Sequence, residues 1–154
     1  VAYLPEYRWY VDVEAAVSCC ITDLVLFSVS LKPNGAVDTH WIPEANFKRA
    51  RLAADAVPGR AVNVLLCVGG AGRSAGFAAA SKSKSKRKAL VDSLASLVER
   101  HELDGVDFDW EAPRSAKEMA DYALLLRAAR RAFRPRGWLV TVALHPGQVL
   151  PGAG

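Results

Sequence analysis

Two kinds of segment alternate along the chain. The first kind is short, apolar and bounded by polar residues or glycine, which is typical of a strand that is buried on both faces. Five segments have this pattern: Val1–Tyr7, Leu24–Val29, Ala61–Val68, Gly105–Trp110 and Leu139–Leu144. Because most of them are continuously apolar rather than alternating, we expect a parallel sheet that is covered by helices.

Segments of the second kind are longer and repeat their apolar residues at helical spacing. Four segments predict helices: Val13–Ile21, Ala45–Val57, one that carries Leu90, Leu94, Leu97 and Val98, and one from Tyr122 to Phe133. Strands and helices therefore alternate up to the fifth strand, which predicts an α/β fold with right-handed crossovers. Two architectures fit this order: a doubly wound open sheet, or a (β/α)8 barrel, which typically takes about 250 residues.

Composition narrows the class of protein. The chain of 154 residues is 51% hydrophobic and 23% charged, which suits one domain with a buried core. No run of about 18 apolar residues is present, so we expect no membrane span, and the first residues show no signal peptide. The three cysteines have no ligand spacing, so we expect neither a metal site nor a disulfide framework, and no cofactor.

The net charge of +4 comes largely from local clusters, and Ser81–Lys88 is the densest of them. A basic run of this length can be a nuclear signal or a nucleic-acid patch. Before an amphipathic helix it is more often a solvated loop and first turn, so we expect no nucleic-acid partner. Because positive charge at a helix N-terminus opposes the helix dipole, we expect the helix to begin late, near Lys88.

The strongest chemical signal is LDGVDFDWEAP, residues 103–113. Since side chains alternate along a strand, we expect Asp107, Asp109 and Glu111 on one face, and Asp104 at the strand entrance, where it orders the turn. An exposed strand with an acidic outer face is one interpretation. In a covered sheet, however, neighbouring acids raise the pKa of at least one carboxyl, which a general acid requires. The carboxyl end of a strand is also where α/β enzymes place their sites.

A second signal is the glycine-rich end of the third predicted strand, Cys67-Val68-Gly69-Gly70. Glycines at such a position let the backbone approach a ligand or another strand closely. The spacing of the glycines fits neither a dinucleotide fingerprint nor a phosphate-binding P-loop.

Together these two stretches resemble glycoside hydrolase family 18, the chitinases and related proteins. The family's Asp-Gly-x-Asp-x-Asp-x-Glu signature is intact from Asp104 to Glu111, and its Ser-x-Gly-Gly is present with Cys67 in place of serine. The resemblance implies a partial (β/α)8 TIM barrel over residues 1–154, formed by the first five strands with four helices. It also implies truncation, because the family draws a Tyr and an Asp from the sixth strand and a Trp from the eighth.

The resemblance further implies a role for each acid. Glu111 would be the general acid and base, and Asp109 would hold the substrate's 2-acetamido group, whose oxygen attacks the anomeric carbon. Asp107 would share a proton with Asp109, and Asp104 and Gly105 would be structural. The implied activity is retaining hydrolysis of β-1,4-linked N-acetylglucosamine glycans, such as chitin. The alternatives are a non-catalytic sugar-binding protein and an inactive fragment of the same fold.

The remaining candidates are expected to contact substrate around this centre: Tyr3, Tyr7, Gly69, Gly70 and His145. The implied partner is an oligosaccharide or polysaccharide. The open edge of a partial barrel also allows self-association. By resemblance alone, the protein is expected in an extracellular or secretory compartment.

Overall fold

The computed structural model describes residues 1–9 and 13–144. Its strands are β1 (Ala2–Pro5), β2 (Asp23–Leu31), β3 (Val37–Asp38), β4 (Asn63–Gly69), β5 (Gly105–Asp109) and β6 (Leu139–Val142). Its helices are α1 (Val13–Cys19), α2 (Glu44–Asp55), α3 (Phe77–Ser81), α4 (Lys84–Arg100) and α5 (Ala116–Phe133). Short 3-10 turns follow β1 (Glu6–Arg8) and α5 (Arg134–Arg136). None of the described helices is both long and apolar enough to cross a bilayer.

Five of the strands form a parallel sheet in the order β1-β2-β4-β5-β6. The short β3 lies outside this path and pairs antiparallel with β2. Each parallel strand therefore lies beside the parallel strand that precedes it in the chain, which is the connectivity of a (β/α)8 barrel. Within the described residues, β1 and β6 are the two edges of the sheet. The predicted α/β fold with five parallel strands is confirmed.

The core lies between one face of the sheet and a single layer of helices. It contains outward-facing residues of β4 and β5: Val64, Leu66, Val68, Val106 and Phe108. The opposite face carries a small separate cluster: Val25, Leu65 and Cys67, with the partly buried Phe27. Helices cover only one face, which is the arrangement of a barrel wall, whereas a doubly wound sheet is covered on both faces.

The curvature of the sheet also indicates a barrel wall. Tyr3 on β1 and Asp107 on β5 lie three strand spacings apart, which is about 14 Å in a flat sheet with strands about 4.8 Å apart. Their side chains are nevertheless joined by a hydrogen bond of 3.0 Å. A tyrosine side chain is too short to span the flat distance, so the strands curve toward one another around an inner face.

The helices differ from the sequence prediction in two respects. α4 begins at Lys84 and not near Lys88, because the Ser83 hydroxyl caps it by accepting a hydrogen bond from the Lys86 N–H at 3.3 Å. The lysine side chains of this first turn are exposed to water, which weakens their repulsion with the helix dipole. The described chain also contains five helices where four were predicted, since α3 is too short to show a helical period.

Candidate active site

β5, the fourth of the parallel strands, carries two buried carboxylates. Asp107 and Asp109 are only 2% and 6% exposed. The alternating residues Val106, Phe108 and Trp110 belong to the core cluster on the helix side. Because successive side chains of a strand point to opposite faces, both acids lie on the inner face of the curved sheet.

Donors from three other strands hold the Asp107 carboxylate. The Tyr3 hydroxyl donates to its Oδ2 at 3.0 Å, and the Thr141 hydroxyl donates to its Oδ1 at 2.6 Å. The Cys67 thiol also forms a hydrogen bond with Asp107. Cys67, Asp107 and Thr141 are paired neighbours across β4, β5 and β6, so their side chains share the inner face. Asp107 is thereby fixed in one orientation.

The two weakly acidic donors are kept protonated by their surroundings. Burial raises the pKa of the Tyr3 hydroxyl, and the negative charge of Asp107 raises it further. Burial likewise raises the pKa of the Cys67 thiol, and the charges of Asp107 and Asp109 add to this effect. Tyr3 and Cys67 therefore remain hydrogen-bond donors at neutral pH.

Gly69 and Gly70 end β4 against Asp109. The Gly70 N–H donates to the Asp109 carbonyl oxygen at 2.7 Å. Gly70 has a φ of +86°, and a Cβ there would collide with the Phe27 ring and lie 3.3 Å from Oδ2 of Asp109. Both glycines are buried, so their effect on the site is to let the end of β4 pack directly on the acidic strand.

Ser74, which the sequence did not single out, connects the glycine-rich loop to the acids. Its buried hydroxyl lies 3.0 Å from the carbonyl oxygens of both Gly70 and Asp109. The same hydroxyl accepts a hydrogen bond of 3.1 Å from the Glu111 N–H.

The sequence analysis did not predict Thr141 as a site residue either, although a single hydroxyl in an otherwise apolar strand is a signal that could have identified it. Ser74 sits in a polar loop and has no such signal.

Glu111 lies just beyond β5, where its side chain is exposed. Its peptide bond to the following residue, Ala112, is cis. A cleft of about 460 Å³ opens beside it, lined by the loop after β4, by α3 and by the entry into α5: Gly72, Ser74, Ala75, Ala78, Trp110, Glu111, Ala112, Arg114 and Glu118. Two buried carboxylates beside an accessible one form an arrangement that suits acid–base chemistry.

An aromatic cluster supports the end of β5 from the helix side. The Trp110 ring stacks on Phe77 of α3, with centroids 5.2 Å apart, and meets Tyr122 of α5 edge-on at 5.3 Å. The Tyr122 hydroxyl donates to the Phe108 carbonyl oxygen at 3.1 Å, and burial raises its pKa. The residue that immediately precedes Glu111 is therefore packed between two helices.

Asp104 and Gly105 lie at the opposite end of β5. Oδ2 of Asp104 accepts hydrogen bonds from the Val64 N–H at 2.7 Å and from the Arg51 guanidinium at 2.6 Å. At Gly105 a Cβ would collide with the backbone of Leu139 on β6. These two residues of the motif therefore join neighbouring strands, far along the strand from the cleft.

Three further candidates for substrate contact remain: Tyr3, Tyr7 and His145. Tyr3 contacts Asp107, whereas Tyr7 lies in the 3-10 turn after β1 and is 66% exposed. His145 lies outside the described residues. In the ranges that are described, no group of three His, Cys, Asp or Glu side chains has the geometry to hold a metal ion. Of the two described residues in this group, Tyr3 is the one that contacts the acids.

Comparison with known proteins gives consistent matches. The family model described as glycosyl hydrolases family 18 matches residues 1–150. The class V chitinase CHIT5 of Lotus japonicus is 39% identical over 67 residues, which is 43% of this chain and 17% of that protein. The crystal structure of the Ostrinia furnacalis Group IV chitinase gives a TM-score of 0.81 at 20% identity, over 94% of this chain and 43% of that one. A class V chitinase from Nicotiana tobaccum in complex with NAG4 gives 0.77 at 21% identity, over 93% and 42%.

The chain spans less than half the length of each of these three proteins. The structural likeness, at this level of identity, shows the fold and confirms the barrel architecture. The match to the family model takes in nearly the whole chain, including the acidic strand and the Gly-Gly strand end. The chain belongs to glycosyl hydrolase family 18.

Proposed function

We propose that the protein hydrolyses β-1,4-linked N-acetylglucosamine glycans, chitin or a related polymer, with retention of configuration. The observation that carries this proposal is the row of acids at the end of β5, with Asp107 and Asp109 buried and Glu111 exposed at a cleft. The chitinase names of the relatives and the NAG4 complex of the tobacco protein support the choice of substrate.

Glu111 is the proton donor in this proposal. Its exposed carboxyl group protonates the glycosidic oxygen while positive charge develops at the anomeric carbon. The hydrogen bond between its N–H and Ser74 fixes the backbone from which the side chain reaches into the cleft. After the leaving group departs, the Glu111 carboxylate takes a proton from the attacking water, so two displacements at one carbon give net retention.

Asp109 orients the substrate. It accepts a hydrogen bond from the N–H of the 2-acetamido group, so that the acetamido oxygen attacks the anomeric carbon and no protein nucleophile is needed. Asp107 lies on the same face, about 6.6 Å along the strand at a rise of about 3.3 Å per residue. The donors from Tyr3, Cys67 and Thr141 fix Asp107, and in this proposal Asp107 shares a proton with Asp109.

Dependence on the acetamido group tests this proposal. We expect the complete polypeptide that the gene encodes to cleave chromogenic N-acetylglucosamine oligomers, and not glucose oligomers of equal length. Asp109→Asn is expected to lower kcat by about 100-fold or more. Asp92→Asn, which changes an exposed carboxylate on α4, serves as the matched control and is expected to keep the wild-type rate. Equal cleavage of both oligomers would exclude the substrate-assisted step.

A further inference from the structure

A largely buried ion pair lies at the rim of the sheet, beside the acids. The Arg73 guanidinium, in the loop that follows β4, forms a salt bridge with the Glu6 carboxylate, in the 3-10 turn that follows β1. The two side chains are only 12% and 21% exposed. Nη1 and Nη2 of Arg73 each donate to a different oxygen of Glu6. A fork of two hydrogen bonds fixes direction as well as distance, so the pair sets the geometry between the two segments.

Both members of the pair are charged although little water reaches them. Burial opposes ionisation of Glu6, but the hydrogen bonds from Arg73 lower the pKa of that carboxyl. The cost of removing two charges from water offsets much of their attraction, so stability alone does not account for such a pair. Its effect on the conformation of the rim is therefore of interest.

The same arginine also binds the end of β2, which lies between β1 and β4. Nη1 of Arg73 donates to the Ser28 carbonyl oxygen at 3.0 Å and to the Ser28 hydroxyl at 3.2 Å. That buried hydroxyl donates to the Gly69 carbonyl oxygen at 2.7 Å. The Arg73 carbonyl oxygen accepts a hydrogen bond of 3.0 Å from the Leu31 N–H. Arg73 thus fixes the ends of β1, β2 and β4 relative to one another.

The loop from Gly70 to Ser74 has little conformational preference of its own. Gly70 and Gly72 have φ values of +86° and +74°, and Ala71 and Gly72 are exposed. Because glycine has the largest conformational freedom to lose on folding, contacts at the end of the loop define its path. The Arg73 N–H closes the loop on the Gly70 carbonyl oxygen at 3.0 Å. The Arg73 side chain then holds it toward β1 and β2, and the Ser74 hydroxyl holds it toward β5.

We propose that Arg73, held by Glu6, is a positioning residue for the proton donor Glu111. Arg73 acts through Ser74, which follows it in the chain and whose hydroxyl accepts a hydrogen bond of 3.1 Å from the Glu111 N–H. This inference rests on the proposed function. Misplacement of a reacting group by about 1 Å can lower a rate about 100-fold. The turn after the first strand thereby influences a carboxyl group that lies beyond the fourth parallel strand.

Coupling between Arg73 and Ser74 separates this role from a purely structural one. Hydrolysis of the N-acetylglucosamine hexamer by the complete polypeptide is measured for Arg73→Met, Ser74→Ala and the double variant. We expect kcat to fall about tenfold in each single variant. Because both changes displace the same group, we expect about tenfold and not about 100-fold in the double variant. KM is expected to stay within about twofold of the wild-type value, since Arg73 does not bind the substrate in this proposal.

A second ion pair offers a matched control. Arg49 of α2 donates from two nitrogens to the two carboxylate oxygens of Glu14 on α1, and its Nη1 donates to the Trp9 carbonyl oxygen at 2.8 Å. Arg49→Met therefore removes a comparable set of contacts that does not include the glycine-rich loop. Its kcat is expected to stay within about twofold of the wild-type value.

Glu6→Gln tests the other half of the pair and is a milder change. It keeps the size of the side chain and one acceptor for the guanidinium, so we expect the protein to fold and kcat to fall about threefold. Urea unfolding identifies the variants that fold. If Arg73→Met does not fold, Glu6→Gln is combined with Ser74→Ala, and the double variant is expected to show the tenfold loss of Ser74→Ala alone.

Three results would overturn the inference. A wild-type kcat in a folded Arg73→Met or Glu6→Gln variant would show that the pair does not position Glu111. Losses that multiply in the double variant would show that Ser74 is not the link. A raised KM with an unchanged kcat would show that Arg73 serves substrate binding. If the wild type cleaves the hexamer and any of these results is found, the proposed function stands without this inference; if the wild type does not cleave it, both fail.

Discussion

The Tyr3 hydroxyl donates a hydrogen bond of 3.0 Å to Oδ2 of Asp107, although β2 and β4 lie between the strands that carry the two residues. This contact is made only because the sheet curves around its inner face. The shape of the barrel wall and the orientation of a buried acid are therefore linked through one pair of side chains. A residue of the first strand helps to set the geometry of the candidate active site on the fourth parallel strand.

Removal of this donor is expected to lower the rate of hydrolysis. Tyr3→Phe leaves Asp107 with the donors from Thr141 and Cys67, and the loss of one hydrogen bond to a charged group costs about 1.5–3 kcal/mol, so kcat is expected to fall at least about tenfold. Thr141→Val is expected to act in the same direction. Thr22→Val, which removes an exposed hydroxyl before β2, is the control for steady-state assays. An unchanged kcat in Tyr3→Phe would contradict this account of the acid row.

Ser74 is expected to affect both stability and rate. Ser74→Ala removes the acceptor of the Glu111 N–H and a donor to the Asp109 carbonyl oxygen. We expect urea unfolding to show a loss of about 1–3 kcal/mol, and kcat to fall about tenfold because Glu111 is displaced. Ser96→Ala, at an exposed hydroxyl on α4, is the matched control. A loss of stability with an unchanged kcat would show that Ser74 does not position Glu111.

The aromatic support of β5 is expected to be a major source of stability. Phe77 is fully buried and stacks on Trp110, so Phe77→Ala is expected to lower the free energy of unfolding by about 3–5 kcal/mol. Leu124→Ala changes a side chain on α5 that is 42% exposed, and its effect is expected to stay within about 0.5 kcal/mol. Equal effects of the two substitutions in urea unfolding would rule out this role for the cluster.

His101 is expected to reduce stability in acid. Burial lowers its pKa, and Glu44, 3.5 Å from Nδ1, opposes this shift only in part. A folded pKa below the unfolded value of about 6.5 contributes stability that is present above pH 6.5 and is lost as the pH falls through the folded value. The melting temperature is therefore expected to drop between about pH 7.5 and pH 5. The drop is expected to be smaller in His101→Phe, which keeps the stacking on Phe47; parallel profiles would contradict this prediction.

The pattern of apolar residues predicts the fold correctly where the strands are deeply buried. Continuous apolar runs predicted β2 and β4 because side chains on both faces of these two strands are buried. The five residues of α3 were missed because a helix of little more than one turn shows no period. The start of α4 was misplaced because the Ser83 hydroxyl decides it, while the charge of the lysines is screened by water.

The candidate site is predictable only in part, because some of its contacts join residues that are far apart in the sequence. Alternation along β5 indicates that Asp107 and Asp109 share a face, and this is a local property of the strand. The contact between Tyr3 and Asp107 joins residues 104 positions apart and depends on the curvature of the whole sheet. Ser74 and Arg73 reach their partners through the conformation of one loop, which no hydrophobic pattern encodes.

The most direct test of the account is the rate at which Glu111→Gln hydrolyses a chromogenic N-acetylglucosamine oligomer in the complete polypeptide. The substitution keeps the size of the side chain and removes its transferable proton, so kcat is expected to fall by about 10²–10⁴ while the oligomer still binds. Glu99→Gln, at an exposed carboxylate on α4, is expected to match the wild type. Equal rates in the wild type and Glu111→Gln would show that Glu111 is not the proton donor.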